Sequence, residues 1–263
     1  LFVTRLLTAA ALIAALLGAL FWLDRPALCA LVGLVVVLAG QEWASLAGIR
    51  GAGAWAYGAA CAILFLSLQQ VPAAATALCG AALAFWAIAV PILLARGQKS
   101  AALRLGSGLA VLVPAGLAMV VLPPRLVLLA LGLVWIADTA AYLVGRAFGK
   151  RKLAPKISPG KTWEGVMGGA VGTLIYAMIC VMFSPDLGGR VEGAIWVPFL
   201  AAALALFVLS VLGDLFESAL KRQAGVKDSG RLLPGHGGVL DRIDSATAVL
   251  PVALLLAEAL RAS

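Results

Sequence analysis

Apolar residues fill most of this chain in long, nearly unbroken stretches, interrupted by short polar or proline-bearing breaks. A helix that crosses the hydrocarbon of a bilayer needs roughly 20 mostly apolar residues. Nine stretches meet or approach that length, at about 6–23, 27–47, 52–70, 73–95, 104–122, 126–145, 164–183, 194–217 and 243–261. Asp24-Arg25-Pro26, Pro72, Pro123-Pro124 and Ser184-Pro185 stand where short turns are required. The third stretch is the weakest, with Gly51, Gly53 and Gly58 within or beside it and Gln69-Gln70 at its end. The pattern predicts an all-α polytopic membrane helix bundle of about nine transmembrane helices, with two long cytoplasmic loops and no separate soluble domain. The first stretch ends in Phe21-Trp22-Leu23 rather than a small-residue cleavage site, so a retained span is expected rather than a signal peptide.

Composition narrows the class further. Of 263 residues, 63% are apolar and 12% charged, with a mean hydropathy of +1.06. A soluble domain carries about 25% charged residues, and disordered chains are poor in apolar ones, so both classes are excluded. The net charge of +8 is explained by basic loops on one membrane face and requires no nucleic acid. With nine spans, sixteen of the twenty Lys and Arg residues fall on one side and four (Arg25, Arg125, Arg190 and Arg261) on the other. Positive charge concentrates on the cytoplasmic face, which predicts a cytoplasmic N-terminus and an external C-terminus. Cys29, Cys61, Cys79 and Cys180 lie inside apolar runs without ligand spacing, which points to buried small side chains rather than disulfides or zinc.

Polar chemistry is concentrated in the C-terminal half, residues 126–263, and leaves 1–125 as N-terminal transmembrane helices. One polar region runs from Asp138 through Arg146, Lys150–Lys152 and Ser158-Pro159-Gly160-Lys161-Thr162 to Glu164. The other runs from Asp214 through Glu217, Lys221-Arg222, Lys227-Asp228 and Gly235-His236-Gly237-Gly238 to Asp241-Arg242 and Asp244-Ser245. If the eighth span stays helical past Gly213, Asp214, Glu217, Ser218 and Lys221 fall at i, i+3, i+4 and i+7 on one face. Asp241, Asp244 and Ser245 do the same at the start of the ninth span. Antiparallel neighbours would then bring Asp214 and Asp241 towards one coordination sphere.

An ionisable group at the edge of a span costs a few kcal/mol and needs a partner. Carboxylates facing Lys and Arg suit a divalent cation on a polyphosphate, because Mg²⁺ takes one or two carboxylates plus phosphate oxygens and waters. The plainer alternative is that the basic residues enforce topology and touch anionic headgroups. That alternative weighs most for Arg151, Lys152 and Lys156, and least for Lys221, Arg222 and Lys227, which interleave with acids. Asp138 is either an interhelical hydrogen bonder or a site carboxylate. His236, in a polar loop, is a candidate phosphate ligand, proton carrier or turn residue. Gly160-Lys161-Thr162 imitates the end of a phosphate-binding P-loop, but Pro155 stands where the first glycine belongs and no preceding strand is predicted. A hydrolase built on Ser218 and His236 lacks a nucleophile elbow.

The segment from Ser218-Ala219-Leu220-Lys221-Arg222, through Lys227-Asp228-Ser229-Gly230, to Pro234-Gly235-His236-Gly237-Gly238-Val239-Leu240-Asp241-Arg242-Ile243-Asp244 closely resembles the signature of phosphatidate cytidylyltransferases, also called CDP-diacylglycerol synthases. The block from Asp138 to Gly165 is similar to the family as well, whereas residues 1–125 resemble it in hydropathy alone. The resemblance implies a reaction in which CTP and phosphatidate give CDP-diacylglycerol and pyrophosphate at the inner face of a bacterial cell membrane. It implies Mg²⁺, with a second cation of unspecified identity, held by Asp214 and Asp241, with Asp244 and Glu217 as further ligands. Lys221, Arg222, Lys227 and Arg242 would meet phosphates, with Asp228 as an orienting partner. Ser158, Lys161, Thr162 and Glu164 would form the other wall, closed by Asp138 and Arg146. The acyl chains would leave sideways into membrane lipid. Nothing fixes the oligomeric state, although spans free of polar groups are compatible with a homodimer. Two rivals remain at this level: a CTP-dependent kinase or cytidylyltransferase acting on a prenyl or archaeal-type lipid, and a secondary transporter using Asp138 and Asp214 as ion-coupling groups.

Overall fold

The structure is a computed structural model, and it describes residues 2–98, 100–183, 195–232 and 237–262. Nine apolar helical columns occupy the nine predicted stretches within those residues. They are α1 (Phe2–Trp22), α2 (Arg25–Leu46), α3 (Ala52–Leu68), α4 (Pro72–Ala84) continued by α5 (Val90–Arg96), α6 (Ala101–Val121), α7 (Pro124–Phe148), α8 (Trp163–Phe183), α9 (Trp196–Gln223) and α10 (Leu240–Ala262). Seven are long and apolar enough to cross a membrane, while α1 and α3 offer the shorter apolar segments Thr8–Trp22 and Ala52–Leu68. The third column, weakest in the sequence, is thus one of the two short ones in the structure.

Local chemistry sets the helix ends. Asp24 caps α2 by accepting from the Ala27 amide at 3.0 Å, with Pro26 in the first turn. Ser100 caps α6 through the Leu103 amide at 3.2 Å. Between α4 and α5 the backbone widens into a π turn, Phe85–Ala89, just before Pro91, which has no N–H to donate to the preceding turn.

Helix α10 is the central element, packing on α9, α6, α4 and α7. Its middle is therefore closed off, with Ala248 and Val249 fully buried. Large apolar side chains such as Ile63, Ile88, Met167 and Val197 point outward instead, as expected where the surrounding solvent is lipid. Phe216 of α9 sits in an aromatic cluster, 6.1 Å from Trp43, 5.9 Å from Phe85 and 5.7 Å from Trp86 between ring centroids. These rings make a dry wall behind the polar face of α9.

One feature departs from the sequence expectation. Residues 152–162 form an antiparallel hairpin, β1 (Lys152–Ala154) with β2 (Ser158–Thr162), between α7 and α8. A strand therefore does precede α8, contrary to the sequence reading. Gly160-Lys161-Thr162 lies within that strand rather than in a glycine loop after it, so no phosphate-cradling loop is formed.

Candidate active site

Helix α9 continues past its apolar part to Gln223, so Asp214, Glu217, Ser218 and Lys221 share one face as the helical period requires. Its end is a Schellman turn: Val226 N–H donates to the Lys221 carbonyl at 2.9 Å and Gly225 N–H to the Arg222 carbonyl at 3.1 Å. Gly225 has φ +72°, a conformation that favours glycine. The chain is thereby turned back over the polar face of α9.

The acidic faces of α9 and α10 meet because Gly213 has no side chain. A Cβ at Gly213 would stand 2.6 Å from the Asp244 carbonyl oxygen and 3.1 Å from the Ser245 Cα. Gly213→Val should force the helices apart and destabilise the fold by about 1–3 kcal/mol, read as a lower midpoint of thermal unfolding in detergent. Gly106, inside α6, has nothing within 4 Å of such a Cβ, so Gly106→Ala should not lower the midpoint and should raise it by up to the roughly 1 kcal/mol that alanine gains over glycine in a helix.

Two lysines thread the carboxylates together. Lys221 Nζ donates to Glu217 Oε2 at 2.8 Å and to Asp241 Oδ1 at 2.6 Å. These three side chains are nearly closed off, at 11%, 3% and 6% exposed respectively. Lys161 Nζ, from β2, lies 2.6 Å from Asp214 Oδ2, and the Ser218 hydroxyl donates to Asp214 Oδ1 at 3.1 Å. Asp138 of α7 interacts electrostatically with Lys161 and Asp214. Asp244 feels the charges of Asp214, Glu217 and Asp138. Five carboxylates thus gather around two ammonium groups, and Glu217 Oε1 is buried without a hydrogen-bond partner.

The remaining residues of interest are distributed around this core. Arg222 Nε donates to the Ile157 carbonyl at 3.2 Å and its Nη1 to the Val226 carbonyl at 3.0 Å, tying the end of α9 to the hairpin. Thr162 is buried and caps α8, its Oγ1 accepting from the Gly165 amide at 3.1 Å. Glu164 accepts from the Lys150 amide at 3.0 Å and the Arg151 amide at 3.2 Å, with the Arg151 guanidinium at 3.4 Å, so it anchors the segment entering the hairpin. Arg146 donates to the Tyr142 hydroxyl at 3.2 Å on the exposed flank of α7. Ser158 is half-buried on β2, while Lys227, Asp228 and Arg242 are exposed. His236 lies outside the described residues.

Asp214 and Asp241 lie on facing helices, but each is held by a different lysine. Asp241 Oδ2 is also engaged, accepting from the Ser229 amide at 2.9 Å and the Gly238 amide at 2.8 Å, with the Ser229 hydroxyl 3.0 Å away. Among the described residues, no three His, Cys, Asp or Glu side chains are drawn together tightly enough to form a metal cage. The donor set nonetheless fits a hard cation. Carboxylates are in excess over lysines, one buried carboxylate oxygen is orphaned, and Mg²⁺ needs one or two protein carboxylates when waters and phosphates supply the rest.

Two polar residues of this region were not singled out from the sequence. Glu42 of α2, 5% exposed, accepts from the Val239 amide at 3.0 Å and the Leu240 amide at 2.9 Å, and its Oε2 lies 2.9 Å from the Ser229 hydroxyl. Ser229 links Glu42 to Asp241. The signal for Glu42 was present: it is the one charged residue in the predicted span 27–47.

The model of the cytidylyltransferase family matches residues 3–260. The chain belongs to the cytidylyltransferase family. Its members are nucleotidyltransferases, and the match covers the N-terminal helices together with the polar C-terminal half. A phosphatidate cytidylyltransferase of Pseudomonas aeruginosa is 44% identical over 259 residues, which is 94% of each chain. One from Haemophilus influenzae is 57% identical over 122 residues, 45% of this chain and 41% of that one. One from Thermotoga maritima is 44% identical over 129 residues, 49% of this chain and 47% of that one. With its apolar helices, the chain is an integral membrane nucleotidyltransferase.

Proposed function

We propose that this protein converts CTP and phosphatidate to CDP-diacylglycerol and pyrophosphate at the cytoplasmic face of a bacterial inner membrane. The observation that carries the proposal is the ladder of acids and lysines where α9 and α10 meet, in a chain that aligns almost end to end with a phosphatidate cytidylyltransferase. With nine spans, sixteen of the twenty basic residues fall on the side that carries this ladder, which supports a cytoplasmic site and a cytoplasmic N-terminus.

In the reaction, a phosphate oxygen of phosphatidate attacks the α-phosphorus of CTP. A new P–O bond forms, the α–β bridging bond breaks, and its electron pair leaves with pyrophosphate. Both reactants are anions, so positioning and charge compensation do most of the work. Lys161 and Lys221 stand inside the cluster as compact positive charges. Arg222, Lys227 and Arg242 lie at its exposed rim, where they can draw in triphosphate and headgroup; Arg146 adds charge on the α7 side. Ser158 and the Lys161 backbone on β2 form a wall that Thr162 and Glu164 hold in place from the start of α8. Asp228 lies beside Gly237, where a Cβ would stand 3.5 Å from the Asp228 Cβ.

Asp214, Asp244, Glu217 and Asp241 would hold Mg²⁺ and any second cation. Such an ion, when bound, neutralises charge on attacking and leaving oxygens. Both oxygens of Asp214 and of Asp241 are engaged by protein donors, so either acid would serve as a ligand in exchange for one of those contacts, whereas Glu217 Oε1 has no partner to give up.

Purified protein in phosphatidate-containing vesicles should form labelled CDP-diacylglycerol from labelled CTP. Chelation should abolish the product and Mg²⁺ should restore it. Replacing phosphatidate by prenyl phosphates, lysophosphatidate or phosphatidylglycerol should leave at most a few per cent of the signal. Equal transfer to another lipid phosphate would overturn the substrate assignment, and undiminished activity after chelation would overturn the cation.

A further inference from the structure

Glu42 lies in the second helix, far in sequence from the polar regions, yet its carboxylate is inserted where the returning loop enters α10. Oε1 accepts from the Val239 amide at 3.0 Å; Oε2 accepts from the Leu240 amide at 2.9 Å and lies 2.9 Å from the Ser229 hydroxyl. That hydroxyl lies 3.0 Å from Asp241 Oδ2, while the Ser229 amide donates to the same oxygen at 2.9 Å. Gly230 and Gly238 line the carboxylate so closely that a Cβ on either would collide with it. The cradle is therefore shaped around this one acid, with both oxygens engaged.

We infer that Glu42 is a positioning residue that sets Asp241 through Ser229. The Ser229 hydroxyl has one proton and two carboxylates within reach, so it can donate to Glu42 or to Asp241 but not to both. While it donates to Glu42, Asp241 Oδ2 keeps the amides of Ser229 and Gly238 and faces the site with less of its charge neutralised. While it donates to Asp241, that carboxylate is more fully neutralised. Glu42 also satisfies the first amides of α10, where a negative charge is favoured by the helix dipole. It thereby fixes the start of the helix that carries Asp241 and Asp244. The N-terminal helices are thus part of the catalytic apparatus rather than an anchor beside it.

This inference rests on the cytidylyltransferase reading for its kinetic arm, but its structural arm stands apart. Five proteins are compared: the parent, Glu42→Gln, Ser229→Ala, Ser229→Thr and the Glu42→Gln/Ser229→Ala double variant. Hydrogen exchange of peptides covering 227–241, followed by mass spectrometry in detergent, needs no turnover. Glu42→Gln should speed exchange in that segment at least tenfold while peptides of α6 and α7 stay as in the parent. In CTP turnover, Glu42→Gln and Ser229→Ala should each lower kcat by tenfold or more, with KM for CTP changed less than threefold. The double variant should be no worse than about twice the poorer single one, and Ser229→Thr, which keeps the hydroxyl, should recover most of the activity.

Multiplied losses in the double variant would overturn the inference, as would unchanged exchange in 227–241. Loss of protection throughout the bundle in Glu42→Gln would also overturn it, because the acid would then be a general stabiliser. A parent protein inactive towards phosphatidate would count against the proposed reaction alone, and the exchange result would still decide the role of Glu42.

Discussion

Replacing Lys221 with methionine should abolish CTP turnover and weaken the fold in the same protein. Methionine keeps the apolar length of the side chain and removes the ammonium. That ammonium is the sole cation hydrogen-bonded to both Glu217 and Asp241 among the described residues. Both acids are almost closed off from solvent, at 3% and 6% exposed. Breaking a buried ion pair from one side leaves the opposite charge uncompensated, at a cost of about 3–5 kcal/mol. Here two acids are left, with Asp214 and Asp244 close enough to add repulsion. Thermal unfolding of the detergent-solubilised variant should therefore start well below that of the parent. Lys221→Met/Glu217→Gln removes one of the stranded charges and should regain part of the stability with none of the activity. Parent-like stability in Lys221→Met alone would mean that the acids are neutralised by some other group.

The second large effect is expected at Asp214, and it should fall on activity alone. Asparagine is nearly the same size, and its amide oxygen can still accept from the Ser218 hydroxyl, now 3.1 Å away. Asp214 is 28% exposed, so water covers what the change leaves unpaired. Stability should stay within about 1 kcal/mol of the parent. Turnover should drop by roughly 10²–10³-fold, the loss typical when one preorganised electrostatic group is removed from a reacting centre. Asparagine is also a weaker ligand for a hard cation, so residual activity should need about 10–100 times more Mg²⁺ for half-maximal rate. A Mg²⁺ titration on wild type and variant side by side checks both numbers. An unshifted titration with lowered kcat would make Asp214 a partner of Lys161 and nothing more.

These two residues, four positions apart from Glu217 and Ser218 on one helix, show how much of the site could be read without coordinates. Helical spacing alone placed Asp214, Glu217, Ser218 and Lys221 on one face and Asp241, Asp244 and Ser245 on another, and α9 and α10 carry them that way. The reason is that residues three and four apart on a helix are neighbours whatever surrounds them. Asp214 and Asp241 were expected as a pair, yet each is gripped by a different lysine, and Lys161 arrives on a strand that periodicity did not foresee. Short strands of three and five residues leave no pattern long enough to read, and their pairing depends on the bond made across the turn.

What the chain determined by itself was everything that repeats or accumulates along it. Long apolar runs dictate helices, because backbone groups inside lipid must be satisfied locally. The tertiary structure alone decided which charges became partners. A buried acid such as Glu42 is 187 residues from Ser229 and shares no local pattern with it. They meet because α2 and α10 pack within one bundle. There, a desolvated carboxylate must find donors wherever the fold presents them, and the sequence carries no term for that distance.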